Sequence, residues 1–191
     1  MSVTADSAGP TKRDEILDAA EAMIRTVGYN AFSTRDVANA VGIKASSVHY
    51  HFPTKTDIGV AVTERYTARF IEGLGEPDRF HGRPKDAVAH YADAFRRALV
   101  RDGKLCLCAV LGAEIGGLPH DIGGHARIFF EKNLAWLVAA MRSSHVSKVK
   151  AQSAAHLVLA SLEGAMILSK SLADHAVFDH VADGLARAVV N

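Results

Sequence analysis

Apolar residues recur in this chain at helical spacing along almost its whole length, and nowhere alternate with the two-residue period of a strand. From Lys12 to Val27 the set Ile16, Ala19, Ala20, Met23, Ile24 and Val27 falls at i, i+3, i+4, i+7, i+8 and i+11. That is one stripe of an amphipathic helix, and Gly28 supplies a stop. Ser33 or Thr34 caps a short helix over 35–41 that ends at Gly42. A third short helix covers 45–51 and stops before Pro53. Thr54 opens a longer one in which Ile58, Ala61, Val62, Tyr66 and Phe70 share a face. Residues 73–84 hold three Gly and two Pro and read as a loop. Further helical patterns cover 85–101, 106–117, 120–143, 147–172 and 174–190. The expected fold class is all-α.

With 191 residues, 49% of them apolar, the chain can bury one large core or two small ones. Lys and Arg number 22 and Asp and Glu 21, a net charge of +1, which excludes a histone-like protein. A local basic patch is still allowed. Two cysteines exclude a disulfide scaffold. Residues 1–11 lack the apolar run of a secretory signal. The longest apolar-rich run, 154–168, contains His156, Ser161 and Glu163 and is shorter than the roughly 20 residues of a membrane span. A cytoplasmic protein without a membrane partner is expected.

The stretch from Thr34 to Phe52 reads as helix, glycine turn, helix. Val37, Ala38, Val41, Ile43 and Val48 can pack inward, and Ala38 is small where two crossing helices approach. The second helix then exposes Lys44, Ser46, Ser47, His49, Tyr50 and His51. Short polar, aromatic and basic groups of this kind suit base edges and phosphates in a major groove. Thr34 and Arg35 stand at the start of the first helix, and Lys55 at the start of the next. A cation there, added to a helix N-terminus, can hold a phosphate.

Residues 12–70 resemble the DNA-binding end of the TetR family of transcriptional regulators. The resemblance lies in the lead-in Ile16 to Ile43 and in the ending Val48-His49-Tyr50-His51-Phe52-Pro53-Thr54-Lys55. Lys44 stands where the family often has serine or threonine, and His49 where it often has tyrosine. The resemblance implies residues 1–11 as a flexible tail, 12–55 as a helix-turn-helix DNA-binding domain and 56–191 as a helical effector-binding and dimerisation domain. It also implies a ligand-responsive regulator, usually a repressor, that holds a near-palindromic double-stranded DNA operator as a homodimer and is released by a small-molecule or electrophile effector. The alternative is a family-like ligand-binding or protein-interaction module without DNA binding.

In the effector half, Leu105 to Glu114 resembles a Cys-x-x-x-Gly segment of a subset of these regulators, some of which sense electrophiles through cysteine. Cys106 and Cys108 are the candidate thiols. Two positions apart on a helix they would point about 200° away from each other, so both cannot face one pocket if both are helical. The alternative is two small buried hydrophobes. Tyr91, Phe95 and Trp136 are candidate pocket residues, although at helical spacing they equally suit a core. Residues 147–172 carry two apolar stripes, Val158/Ser161/Ala165/Leu168/Leu172 and Ala155/Leu159/Leu162/Met166. Such a helix is buried on most sides. It is either a core helix of one chain or one that also meets its copy; the resemblance implies the second, with Leu159, Ala160, Leu162, Gly164 and Met166 at the dimer interface. His120/His125 and His175/His180 are each five apart, not the four that aligns two ligands on a helix. With no nucleophile elbow or phosphate loop either, no enzyme, cofactor or metal site is expected.

Overall fold

The computed structural model describes residues 9–142 and 146–188. The expected tail, 1–11, lies outside the described residues up to residue 8. Helix α1 spans Lys12–Val27, α2 Thr34–Val41, α3 Ala45–His51, α4 Lys55–Leu74, α5 Pro84–Asp102, α6 Leu107–Ala113, α7 His120–Met141, α8 Lys148–Leu172 and α9 Ala176–Ala188. Among the described residues no strand forms.

Three helix starts use the same device. Thr11, Ser33 and Thr54 each accept from the amide three residues on, while Asp14, Asp36 and Asp57 bond back to the capping residue. Each reciprocal pair satisfies two amides that a helix start leaves unpaired. Ser33, not Thr34, is therefore the cap of α2. Gly42 ends α2 in the left-handed region (φ 71°, ψ 34°), which allows the Ile43 amide to reach the Ala38 carbonyl at 3.0 Å. Val37, Ala38 and Val48 are buried at the crossing of α2 and α3.

The body packs α4 to α9 around one aromatic cluster. Phe70 meets Tyr91, Phe95 and Phe129 with ring centroids 5.2–6.1 Å apart, and Tyr91 stacks on Trp136 at 5.8 Å. Its polar atoms are satisfied: the Tyr91 hydroxyl donates to Asn133 Oδ1 at 2.7 Å, and Trp136 Nε1 donates to the Gly75 carbonyl at 2.7 Å. Two expected elements change. Residues 77–80 inside the expected loop form a 3-10 turn, and the expected helix over 106–117 breaks into α6 and a second 3-10 turn, Ile115–Gly117. The Gly116-Gly117 pair follows that break, where the chain leaves the α-helix.

Head and body are fastened through α1. Arg25, buried, donates from Nε to the Leu105 carbonyl at 2.8 Å and pairs with Glu21 and Asp102, each at 3.4 Å. Glu114, at the end of α6, accepts the amides of Tyr29 at 2.8 Å and Asn30 at 3.4 Å with one carboxylate oxygen. Gly28 makes room for it: φ is 90°, and a Cβ there would overlap the Glu114 carboxylate. Hydrogen bonds to a charged group contribute about 1.5–3 kcal/mol. Glu114→Ala is therefore expected to lower the unfolding free energy by about 2 kcal/mol in urea titration.

Candidate nucleic-acid interface

Helix α3 presents one face inward and one outward. Val48 is fully buried, and Phe52 closes the head beneath it with the Arg13 guanidinium 5.0 Å from its ring centre. Ser46, Ser47, His49 and Tyr50 are exposed, as are Lys44 and Arg35. Tyr50 is 85% exposed, its ring accessible to a partner. His51 is half-buried, its ring edge-on to Tyr50 at 5.2 Å. The His49 ring is tied back to the Pro53 carbonyl through Nδ1 at 3.2 Å, which leaves Nε2 as its outward atom. Lys44 occupies the cap position of α3, where an ammonium, having no acceptor, makes no side-chain cap bond.

Lys55 is turned the other way. Its ammonium lies 4.4 Å from the centre of the Tyr29 ring and 4.6 Å from that of Phe32, and it reaches the Asn30 carbonyl at 3.5 Å. Burial lowers its pKa, partly offset by Glu114 and Asp36. In the free chain this half-buried cation rests against two ring faces and a carbonyl rather than standing clear of the surface. Thr34, half-buried behind the Ser33 cap, is likewise less presented than expected. Lys12 was missed. It starts α1, yet lines a shallow concavity with Ser46, Ser47, Tyr50 and His51. No local pattern joins residues more than thirty positions apart.

In the body, Cys106 and Cys108 are both buried, at 1% and 0% exposure. Burial pushes both thiols well up, and the Glu163 carboxyl pushes them further. Neither has the thiolate character that reactive cysteines need. The helical condition on their opposition is not met, because Cys106 precedes α6 (φ −56°, ψ 131°), and both thiols feel the same carboxyl. Tyr91 and Phe95 are packed shut in the aromatic cluster and Trp136 is 5% exposed, so none lines an open pocket.

On α8 the expected interface residues divide. Leu159, Leu162 and Met166 are buried in the chain's own core, whereas Ala160 is exposed and Gly164 half-buried with open space where a Cβ would stand. The exposed apolar residues of this helix are instead Leu157, Ile167, Leu168 and Leu172, with Val149 at its start. At 25 residues α8 is also longer than the apolar run read from sequence, and apolar enough to cross a membrane by length and composition. Its buried stripe packs against the rest of the body.

Comparison with known proteins places these features. A family model of bacterial regulatory proteins, tetR family, matches residues 16–62, and one of the C-terminal domain of LmrA/YxaF-like transcriptional regulators matches residues 84–184. The chain belongs to the TetR family of transcriptional regulators. A TetR transcriptional regulator from Legionella pneumophila is 28% identical, with a TM-score of 0.84 over 98% of both chains. A TetR-family regulator from Agrobacterium tumefaciens is 27% identical, with a TM-score of 0.83 over 92% of this chain and 95% of that one. The HTH-type transcriptional regulator CymR of Pseudomonas putida is 30% identical over 87 residues, 41% of this chain and 43% of that regulator. The aligned stretch thus spans less than half of that relative. TetR regulators bind DNA as dimers and respond to small-molecule ligands, and α3 of this TetR protein is the second helix of its helix-turn-helix.

One buried group stands out in the TetR body. Both carboxyl oxygens of Glu163 are buried without a hydrogen-bond partner of normal geometry, although the Cys106 thiol lies beside them. Burial raises its pKa from 4.5 to about 7. Between these values the unfolded chain has already lost the proton that the folded chain keeps. The contribution of Glu163 is therefore fully present below pH 4.5, falls as pH rises, and reaches its lower level above 7. Glu163→Gln should abolish this slope and exceed the parent's stability at pH 8 by up to about 3 kcal/mol, measured by urea titration across pH.

Proposed function

We propose that this TetR-family regulator is a repressor that binds a near-palindromic operator as a homodimer and is released by a small-molecule effector. The observation that carries the reading is the outward face of α3, with Tyr50 and the serines exposed beside Lys44. Phosphate contacts from Lys44, Arg35 and Lys12 would set the register, and Ser46, Ser47, His49 and Tyr50 would meet base edges or backbone. Two copies would place α3 in successive major grooves of one DNA face.

Fragments pulled down from genomic DNA by the purified protein supply the operator. Ser47→Ala and Tyr50→Ala are each expected to weaken operator binding about tenfold in fluorescence anisotropy, with unchanged circular dichroism. Wild-type affinity in Lys44→Ala, Ser47→Ala and Tyr50→Ala alike would overturn the reading. The outward basic patch is small, with Lys55 partly covered by the Tyr29 and Phe32 rings. The salt dependence should be well shallower than a log–log slope of about −10.

The dimer reading rests on the exposed stripe of α8. Leu157, Ala160, Gly164, Leu168 and Leu172 recur at helical spacing on this outer face, and the two small residues allow two helices to approach closely. Leu168 is half exposed, so a charge there is tolerated in a lone chain but not in a packed helix pair. Leu168→Glu should yield a folded monomer in sedimentation and lose operator binding. A dimer that survives this change places the interface elsewhere.

A further inference from the structure

A groove opens between α4 and α5. With α1 across one end it forms a cleft of about 400 Å³, within the range of small-molecule sites. Small side chains create it. Gly73 has open space where a Cβ would stand, and Ala94 and Ala98, one turn apart on α5, face the same groove. Tyr66 and Phe70 form the opposite apolar wall. Tyr91 and Phe95, by contrast, sit in a filled interior.

The charges around the cleft do not balance. Arg25, Arg69 and Arg97 face Glu21 and Asp102. Glu21 is shared among Arg25, Arg65 and Arg69, while Arg25 also takes Asp102. Arg97 is exposed on α5 and has no ion-pair partner among the described residues. Arg69, half exposed on α4, has a single carboxylate, which it shares. One wall thus offers an unpaired guanidinium and the facing wall an under-neutralised one, above an apolar floor. Planar guanidinium groups suit a carboxylate, which accepts two parallel hydrogen bonds.

We propose that this cleft binds an amphipathic organic carboxylate, its charge held between Arg69 and Arg97 and its apolar body against Phe70, Ala94 and Ala98. The ligand competes with Glu21 for Arg69. Glu21 belongs to α1 of the head and Arg69 to α4, so binding loosens a tie between the helix-turn-helix and the body. Release of DNA by this route rests on the proposed repressor function; the binding site itself does not.

Isothermal titration of the full chain with 2-naphthoate tests the site, with 2-naphthylmethanol as the uncharged control of the same shape. Saturable binding of 2-naphthoate at least about tenfold tighter than the alcohol is expected. Arg97→Ala, a change at an exposed and unpaired side chain, should weaken it about tenfold, and Arg127→Ala on α7 should leave it unchanged. No saturable binding, equal affinity for the alcohol, wild-type affinity in Arg97→Ala, or an equal loss in Arg127→Ala overturns the site. Anisotropy with operator DNA separates the two claims. A roughly tenfold loss of operator affinity with 2-naphthoate, absent in Arg97→Ala, supports the coupling. Binding with unchanged operator affinity supports the site and overturns the coupling. Failure of the free protein to bind any genomic fragment overturns the repressor reading and leaves the titration result standing.

Discussion

Polar ties between the helix-turn-helix head and the body gather in the C-terminal half of α1 and the loop that follows it, beside the α1 pairs with Arg65 and Arg69 of α4. Arg25 is fixed to the α5–α6 connection through the Leu105 carbonyl, and Glu114 at the end of α6 holds the Tyr29 and Asn30 amides. Lys55 closes the same loop from the other side through the Tyr29 and Phe32 rings. The loop leads directly into Ser33, the cap of α2, so the orientation of the whole helix-turn-helix depends on it. A regulator needs two arrangements of such a joint and a ligand that prefers one of them. Ion pairs with one buried partner suit that role, because losing one side leaves a costly unpaired charge on the other.

The same economy explains the neutral composition. The head is not strongly basic, and Lys55 is partly desolvated against aromatic rings at its edge. The exposed cations are Arg13, Arg35, Lys44 and Lys12, the last paired with Glu15 at 2.7 Å, with hydroxyls and the Tyr50 ring nearby. Symmetry is the means by which so small a patch would be multiplied on DNA.

Much of the fold was legible because its signals are local. The stripe from Ile16 to Val27 marks α1, and the caps at Ser33 or Thr34 and at Thr54 with the Gly42 turn mark the head. The inward and outward faces of α3 followed from Val48 and its neighbours. Long-range choices were not legible. Glu114 caps amides about eighty-five positions away, Lys55 prefers two rings to solvent, and Lys12 joins α3 only through the tertiary crossing. Periodicity showed that α8 is apolar nearly all round, but α7 and α9 decide which stripe the chain keeps for itself. Leu159, Leu162 and Met166 therefore went inward, and Leu157, Leu168 and Leu172 stayed outside. The wheel argument for the cysteines held only if both were helical, and Cys106 lies one residue before α6.

Native-state hydrogen exchange at the Tyr29 amide tests the clamp most directly. This amide lies outside helical hydrogen bonding, and its partner is the Glu114 carboxylate. If the clamp joins head to body, Tyr29 exchanges slowly, with protection close to that of the α1 core and lost in Glu114→Ala. Fast exchange of Tyr29 in the parent protein, alongside a protected α1, would contradict it.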